Sequence, residues 1–480
     1  MKGSLAIAAF CAGLLGCGAG EPAEPPHVLL IVVDTLRADH MSLYGYERDT
    51  SPRLNELARE GTRFDRHLAN APWTKPSVAS ILTGLLPPAH GSQWGDFNRV
   101  AEGAVDVLAE SFDTLPEILG RHGYATVALM TNTTITPEIG YAQGFDRFEQ
   151  LGAKLRNDRQ SVRGALVALN EAKQPTFVWC HLMAPHNYLL PKARPRTFRS
   201  KARTPIRQRE FYGRKMVRSY GFRFREPMID TYDEVVRWID EGISNLVRRV
   251  REEHPNTLIL FTSDHGEEFG EHGGYLHART LHSEILHVPL VMWGPGVPRG
   301  QVVTELTQSI DLLPTILDAA GVETPPRSQG RSLLGDGFED ERLVYAEKRN
   351  GRNLIRAVVA ADGKLLESQP ASPPGKKPGM LGQGTWDYFE DPVGPDLASD
   401  LAALPPDELA RRQARLEEIW SGSVRLFEER TAGEVSQREI RDEEIEALRA
   451  LGYVDDVEDE ARVVDAESEA GVEEGEETGP

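Results

Sequence analysis

The sequence predicts an α/β protein: a three-layer α/β/α sandwich on a mainly parallel sheet, followed by a small C-terminal α+β subdomain. Three observations lead there. Val28–Val33 is an unbroken apolar run rich in β-branched residues, the pattern of a strand buried on both faces. Further apolar runs at 125–130, 176–181, 258–262 and 288–293 alternate with helical stretches, the rhythm of strand–helix units. Beyond about residue 325 the rhythm changes to short strands at 343–347, 355–360 and 364–367, and then to helical segments at 406–429 and 440–451.

At 480 residues the chain can bury a large core and hold one large domain with a smaller one. The formal net charge of −20 is unevenly spread. Residues 455–480 carry twelve acids against one Arg, with no aromatic residue and no periodicity, so 454–480 reads as a disordered acidic tail. Residues 192–225 carry thirteen Lys or Arg against one Glu, interleaved with Phe198, Phe211, Tyr212, Tyr220 and Phe222. This basic insertion is an active-site insertion, a lid or a surface loop. Its expected partners are anionic glycans, lipid head groups or the acidic tail, and not nucleic acid.

The first elements concern address, not fold. Lys2 precedes an apolar stretch at 5–15 that is too short to span a bilayer as a mature helix. It ends in Leu14-Leu15-Gly16-Cys17, which resembles a bacterial lipobox. Residues 1–17 are then a lipoprotein signal peptide with Cys17 as the lipid-bearing residue, and 18–26 a short tether. The expected location is the bacterial cell envelope, on the periplasmic or outer-membrane face. Of the three cysteines only Cys180 would remain as a thiol, so no internal disulfide can form.

The catalytic domain is expected over 27–330 and the C-terminal subdomain over 331–453. The strand at 28–33 delivers Asp34 to the carboxyl edge of the sheet, where open α/β sheets place their ligands. A short helix at 52–60 follows, opened by Ser51 and closed by Gly61. In the stretch 70–84, Pro76 suits the first turn of a helix, Val78, Ala79, Ile81 and Leu82 give it an apolar face, and Gly84 stops it. Thr74 thus stands at the mouth of a helix N-terminus, where orphan N–H groups and the dipole favour an anion. A hydroxyl there can also be nothing more than a cap. Helices at 114–121 and 159–172 lead to the next two strands. The amphipathic stretch 232–253 precedes the strand that delivers Asp264 and His265, and a helix at 309–320, closed by Gly321, ends the domain.

Two carboxylates, an imidazole and a hydroxyl at strand and helix ends make a plausible metal-activated nucleophile site. Several ordered segments strengthen this. Ile31–His40, Tyr44-Gly-Tyr46, Trp73–Gly84 with His90-Gly91, Thr262–Glu268 with Glu271-His-Gly273, Val288-Pro-Leu290 through Gly296, Gln308–Thr315 and Gly330–Leu334 resemble the landmarks of the sulfatase family of the alkaline-phosphatase superfamily. The resemblance covers nearly all of 27–330 and implies an alkaline-phosphatase-like fold, ester hydrolysis and one divalent metal ion, whether calcium, magnesium, zinc or manganese.

The departures define this chain. The usual sulfatases place Cys or Ser, oxidised to formylglycine, in Cys/Ser-x-Pro-x-Arg. Here Thr74-Lys75-Pro76-Ser77-Val78 stands in its place. A threonine oxidised at that carbon gives a ketone and not an aldehyde, and the motif's Arg is Val78. The second Asp of the family's first strand is Thr35. The pattern is nearer to the superfamily's Thr-nucleophile branch. The resemblance then assigns Asp34, Thr74, Asp264 and His265 to the metal, and Thr74, Lys75, His181, His277 and Arg279 to catalysis and substrate contact, with His186 beside them. The implied activity is metal-dependent hydrolysis of sulfate esters or, favoured by the Thr nucleophile, of phosphate or phosphonate esters. The substrate is then a sulfated or phosphorylated small molecule, glycan or lipid head group. The alternatives are a phosphoryl-group transferase and a catalytically decayed anionic-glycan-binding protein.

Overall fold

A computed structural model describes residues 24–93, 104–152, 155–187, 197–198, 214–335, 342–350, 353–369, 384–396, 399–432, 437–439 and 441. The expected signal peptide with Cys17, most of the expected tether, much of the basic insertion, the helix expected at 440–451 apart from residue 441, and the expected acidic tail lie outside the described residues.

Eight strands form the central sheet, in the order Gln301–Gln308, Thr62–Leu68, Leu290–Trp293, Thr257–Thr262, His27–Val33, Thr176–Leu182, Ala125–Met130 and Arg147–Gln150. His27–Val33 lies in the middle, parallel to both neighbours. Its side chains divide by alternation. Val28, Leu30 and Val32 join one buried core, and Leu29, Ile31 and Val33 the other. The first core receives Val78, Ile81 and Leu82, with Leu115, Ile118, Leu312 and Ile316. The second receives Leu54, Ala165, Leu169, Tyr232, Val236 and Ile243. Helices therefore cover both faces, which explains why the central strand carries no polar residue between His27 and Asp34.

The sheet is mainly parallel, with Leu290–Trp293 running antiparallel to both of its neighbours. Three of its strands escape the apolar-run reading. Thr62–Leu68 and Gln301–Gln308 carry charged or polar side chains near the sheet edge, where Arg63 and Asp65 pair with each other at 2.7 Å. The far edge strand Arg147–Gln150 is polar for the same reason. The helix expected at 232–253 starts much earlier, as Arg214–Glu253, so the last residues of the basic insertion are helical.

A second, antiparallel sheet of four strands, Val344–Asn350, Asn353–Ala360, Gly363–Gln369 and Thr385–Phe389, forms the small subdomain. The helix Pro406–Thr431 packs on one face through Leu416, against Tyr345, Val358 and Leu365. The other face shares a core with the main domain, in which Val344, Ala357, Val359 and Phe389 meet Leu68, Leu286, Val288 and Leu306. Finally Gln437–Glu439 pairs with Ala104–Asp106, returning the chain to the large domain. Among the described residues no helix is long and apolar enough to cross a membrane.

Candidate active site

Two adjacent parallel strands and one helix set the site. Asp34 follows directly on His27–Val33, and Asp264 and His265 lie just past the end of Thr257–Thr262. Ser263 ties these two strand ends together. Its hydroxyl oxygen lies 2.6 Å from the Val33 carbonyl and 2.7 Å from the His265 carbonyl, with one proton to share between them, and accepts the N–H of Leu36 at 3.0 Å. The helix Thr74–Thr83 points its N-terminus at the same place. Trp73 holds the capping position and makes no side-chain cap bond, so Thr74 sits one residue inside the helix. Its Oγ1 donates to Asp34 Oδ2 at 3.2 Å and lies 3.3 Å from His265 Nε2. The capping explanation of Thr74 gives way to a hydroxyl aimed at a carboxylate and an imidazole.

Asp34, Thr74, Asp264 and His265 are fully buried. His265 Nε2 lies 3.6 Å from Asp34 Oδ1 and 3.7 Å from Asp264 Oδ2. Its Nδ1 lies 2.9 Å from the Gly266 carbonyl, and an N–H donated there leaves the Nε2 lone pair facing the carboxylates. Gly266 is required for this closeness, because a Cβ on it would stand 2.0 Å from the Glu284 carbonyl oxygen. Ser77, one turn along the helix, donates to the Asp264 carbonyl at 2.6 Å and so fastens helix to strand.

This arrangement brings like charges together out of water. Burial and then the charge of Asp264 push the Asp34 carboxyl well above the ordinary carboxylate range. Burial alone would also raise Asp264, but His265 and His181 outweigh it and hold Asp264 at about 2. Asp34 Oδ1 and Asp264 Oδ2 are buried without a hydrogen-bond partner, as are both ring nitrogens of His181. Unmet buried acceptors of this kind are costly unless something positive meets them. Asp34, His181 and Asp264 each offer one ligand atom, all within 4.8 Å of one another. The hard oxygens and imidazoles thus fit a divalent cation. The resemblance gives His181 to the substrate, whereas its Nε2 lies 3.5 Å from Asp264 Oδ2, inside the carboxylate cluster.

The remaining expected residues divide. His277 joins the site: its ring is 4.6 Å from that of His265 and 4.9 Å from that of His186, and its Nδ1 is 3.1 Å from Glu267 Oε1. Burial pushes the His277 imidazole down to about 3, and burial, followed by the charges of His277 and His265, pushes His186 well down. Both shifts favour the neutral imidazole. Arg279 is exposed, close enough to His277 for its charge to be felt there, and its carbonyl accepts from Lys348 Nζ at 3.0 Å. Lys75 is buried and its Nζ donates to the Asp106 carbonyl at 2.5 Å, while burial lowers its ammonium to about 8.

One contributor is invisible to motif reading. Asn132, just past the strand Ala125–Met130, donates from Nδ2 to Asp34 Oδ2 at 2.8 Å. Its Oδ1 accepts from Thr134 N and Oγ1, both at 2.7 Å, and from Ile135 N at 3.2 Å, which fixes the amide's direction. Asn132 and Thr74 together hold Asp34 Oδ2, leaving Oδ1 for the cluster. Thr35 adopts φ 58°, a strained conformation for a β-branched residue. Tyr232 over-determines it by donating to the Thr35 carbonyl at 2.7 Å and accepting from Arg37 N at 2.8 Å. A polar residue just past a buried strand was the signal available for Asn132, but only the strand order shows that it meets Asp34.

The comparisons with known proteins identify the family and the fold. The family sequence model described as Sulfatase matches residues 26–322. Human arylsulfatase K is 23% identical over 474 residues, spanning 86% of this chain and 84% of that protein. The Delta 4,5-hexuronate-2-O-sulfatase of Bacteroides thetaiotaomicron is 23% identical over 363 residues, spanning 67% of this chain and 74% of that one. Among solved structures, the phosphonate monoester hydrolase of Silicibacter pomeroyi superposes with a TM-score of 0.61 at 21% identity, covering 83% of this chain and 95% of that one.

Proposed function

We propose that this chain, which belongs to the sulfatase family, is a metal-dependent hydrolase with Thr74 as its nucleophile and phosphate or phosphonate esters as its preferred substrates. Membership makes it a hydrolase of sulfuric or phosphoric esters, and the finer reading rests on one observation. The residue at the formylglycine position is a threonine whose Oγ1 lies 3.2 Å from Asp34 Oδ2 and 3.3 Å from His265 Nε2.

The roles follow from the geometry. Asp34, Asp264, His265 and His181 would hold a divalent cation, which supplies positive charge to acidify a nearby hydroxyl and to offset charge on the ester oxygens. Asp34 Oδ2 accepts the hydrogen bond of the Thr74 hydroxyl and orients its oxygen, and Asn132 keeps that carboxylate from turning. The helix N-terminus beneath Thr74 favours negative charge at the ester. Oγ1 passes its proton to Asp34 Oδ2 and forms a bond to phosphorus as the bond to the leaving oxygen breaks; that oxygen takes up a proton from water, and a second water later cleaves the phosphoryl- or phosphonyl-threonine, releasing the acid and restoring the hydroxyl. His277, oriented by Glu267, is neutral and suited to take a proton from that water.

Paired nitrophenyl esters test this. With manganese, zinc, magnesium and calcium each supplied in turn, a phosphonate monoester or phosphodiester should turn over faster than the sulfate. Faster sulfate turnover, or oxidation of the Thr74 side chain to a ketone in the resting protein, would overturn the assignment.

The proposal includes export and a lipid anchor at Cys17, supported by the short apolar stretch and the lipobox-like sequence. Sulfated or phosphorylated glycans and lipid head groups at the envelope surface are then the substrates within reach. The protein should partition into the detergent phase from bacterial membranes, and Cys17→Ala should move it to the aqueous phase with activity intact. Equal partitioning of both forms would remove the anchor from the proposal.

A further inference from the structure

On the face of the sheet covered by the long helix, a cavity of about 400 Å3 opens between the helices Leu155–Asn170 and Arg214–Glu253. That is ample for a small ligand. Leu166, Leu182, Trp238 and Leu246 give it apolar walls. Gly242 also lines it, and a Cβ built there meets nothing within 4 Å. A glycine inside a helix is destabilising relative to alanine. No close approach and no positive φ explains it here; the missing side chain leaves room in the cavity.

The polar groups point to the ligand's other end. The Trp238 indole N–H is buried and has no acceptor, although indole donors are normally met when buried. Arg159 and Arg163 stand exposed where they line the cavity, and among the described residues neither makes an ion pair. The Arg159 guanidinium sits 5.2 Å from the centre of the Trp238 ring. The other charges nearby have partners: Arg249 is 2.8 Å from Glu253, Glu241 is 3.9 Å from Arg53, and Asp158 accepts from Thr131 Oγ1 at 2.6 Å and Met183 N at 3.1 Å.

We propose that this cavity is a binding site for an amphiphilic monocarboxylate. A short acyl or aromatic body fills the apolar space left by Gly242, and the carboxylate meets Arg159, Arg163 and the Trp238 N–H. Cation and indole N–H complement one anionic head, and the apolar walls complement the body. The ligand rests against Leu182, the residue after His181 on the strand behind the active site.

Titration of the full-length protein with sodium decanoate, and in parallel with decanol, tests the proposal calorimetrically. Decanoate should bind saturably at one site, with decanol at least ten-fold weaker. Gly242→Leu, which fills the space and lies on a helix that supplies none of the catalytic residues, should weaken decanoate at least ten-fold while ester hydrolysis and melting temperature hold. Arg163→Glu, at an exposed position that does not endanger folding, should weaken it several-fold. Absence of decanoate binding, equal binding of decanol, or undiminished binding by both variants would each overturn the assignment.

Discussion

Thr74→Ala should reduce turnover on the best ester substrate by at least about a thousand-fold, because the bond-forming oxygen is lost while the site around it stays assembled. The fold should survive. Trp73, and not Thr74, occupies the helix cap, and the lost hydroxyl contacts are worth about 1–2 kcal/mol. Thr74→Ser keeps an oxygen at the same place and should retain measurable activity. Purified variants compared by steady-state rates and by melting temperature decide the matter. If Thr74→Ala keeps wild-type turnover, Thr74 is not the nucleophile. If it melts far below wild type, the loss of rate says nothing of chemistry, and Thr74→Ser then carries the test alone.

Stripping the divalent ion should abolish hydrolysis and lower the melting temperature, and Asp34→Asn should partly restore the lost stability without restoring activity. Bound at a thousand times its dissociation constant, an ion adds about 4 kcal/mol to the folded state. Without it, Asp34 and Asp264 face each other buried, with Oδ1 and Oδ2 unmet. The folded state then favours a protonated Asp34, whose carboxyl burial and Asp264 push upward. For a raised carboxyl the sign is fixed: its contribution is fully present below the ordinary carboxylate value and is lost as pH rises through the folded one. The stripped wild type should therefore gain on Asp34→Asn most clearly at neutral pH. Chelation followed by differential scanning at pH 5 and pH 7.5 measures this. If stripped wild type and stripped Asp34→Asn melt alike at both values, the repulsion is not felt and the pairing of charges argued here fails.

The sequence made the centre of the fold legible and its margins obscure, for one physical reason. Val28–Val33 is buried on both faces, so its apolar run can be read without knowing its neighbours. Thr62–Leu68 and Gln301–Gln308 owe their place to pairing with other strands, and their polar side chains look like loop. The site divides in the same way. Asp34, Thr74, Asp264 and His265 follow from motifs at strand and helix ends, and the fold does bring them together. Asn132 was not legible, because its role depends on two strands separated in sequence delivering their ends to one point. Lys75 looked suited to an anion beside Thr74, yet the helix sends its ammonium to the Asp106 carbonyl. Adjacent residues on a helix point in different directions, so proximity in sequence to Thr74 was a poor guide.

The apolar seam between the two sheets has a consequence for how this chain can change by descent. Val344, Ala357, Val359 and Phe389 contribute to the same core as Leu68, Leu286, Val288 and Leu306. The C-terminal sheet is therefore not a detachable module that recombination could exchange for another. A change of side-chain volume on one side of the seam must be answered on the other, since a close-packed interior tolerates neither a void nor a clash. Leu286 and Val288 border the stretch that runs back through Glu284 to Gly266 and His265, where backbone oxygen and glycine already leave no slack. Drift in the small sheet is thus constrained by the catalytic centre across the seam, and the two halves must be inherited together.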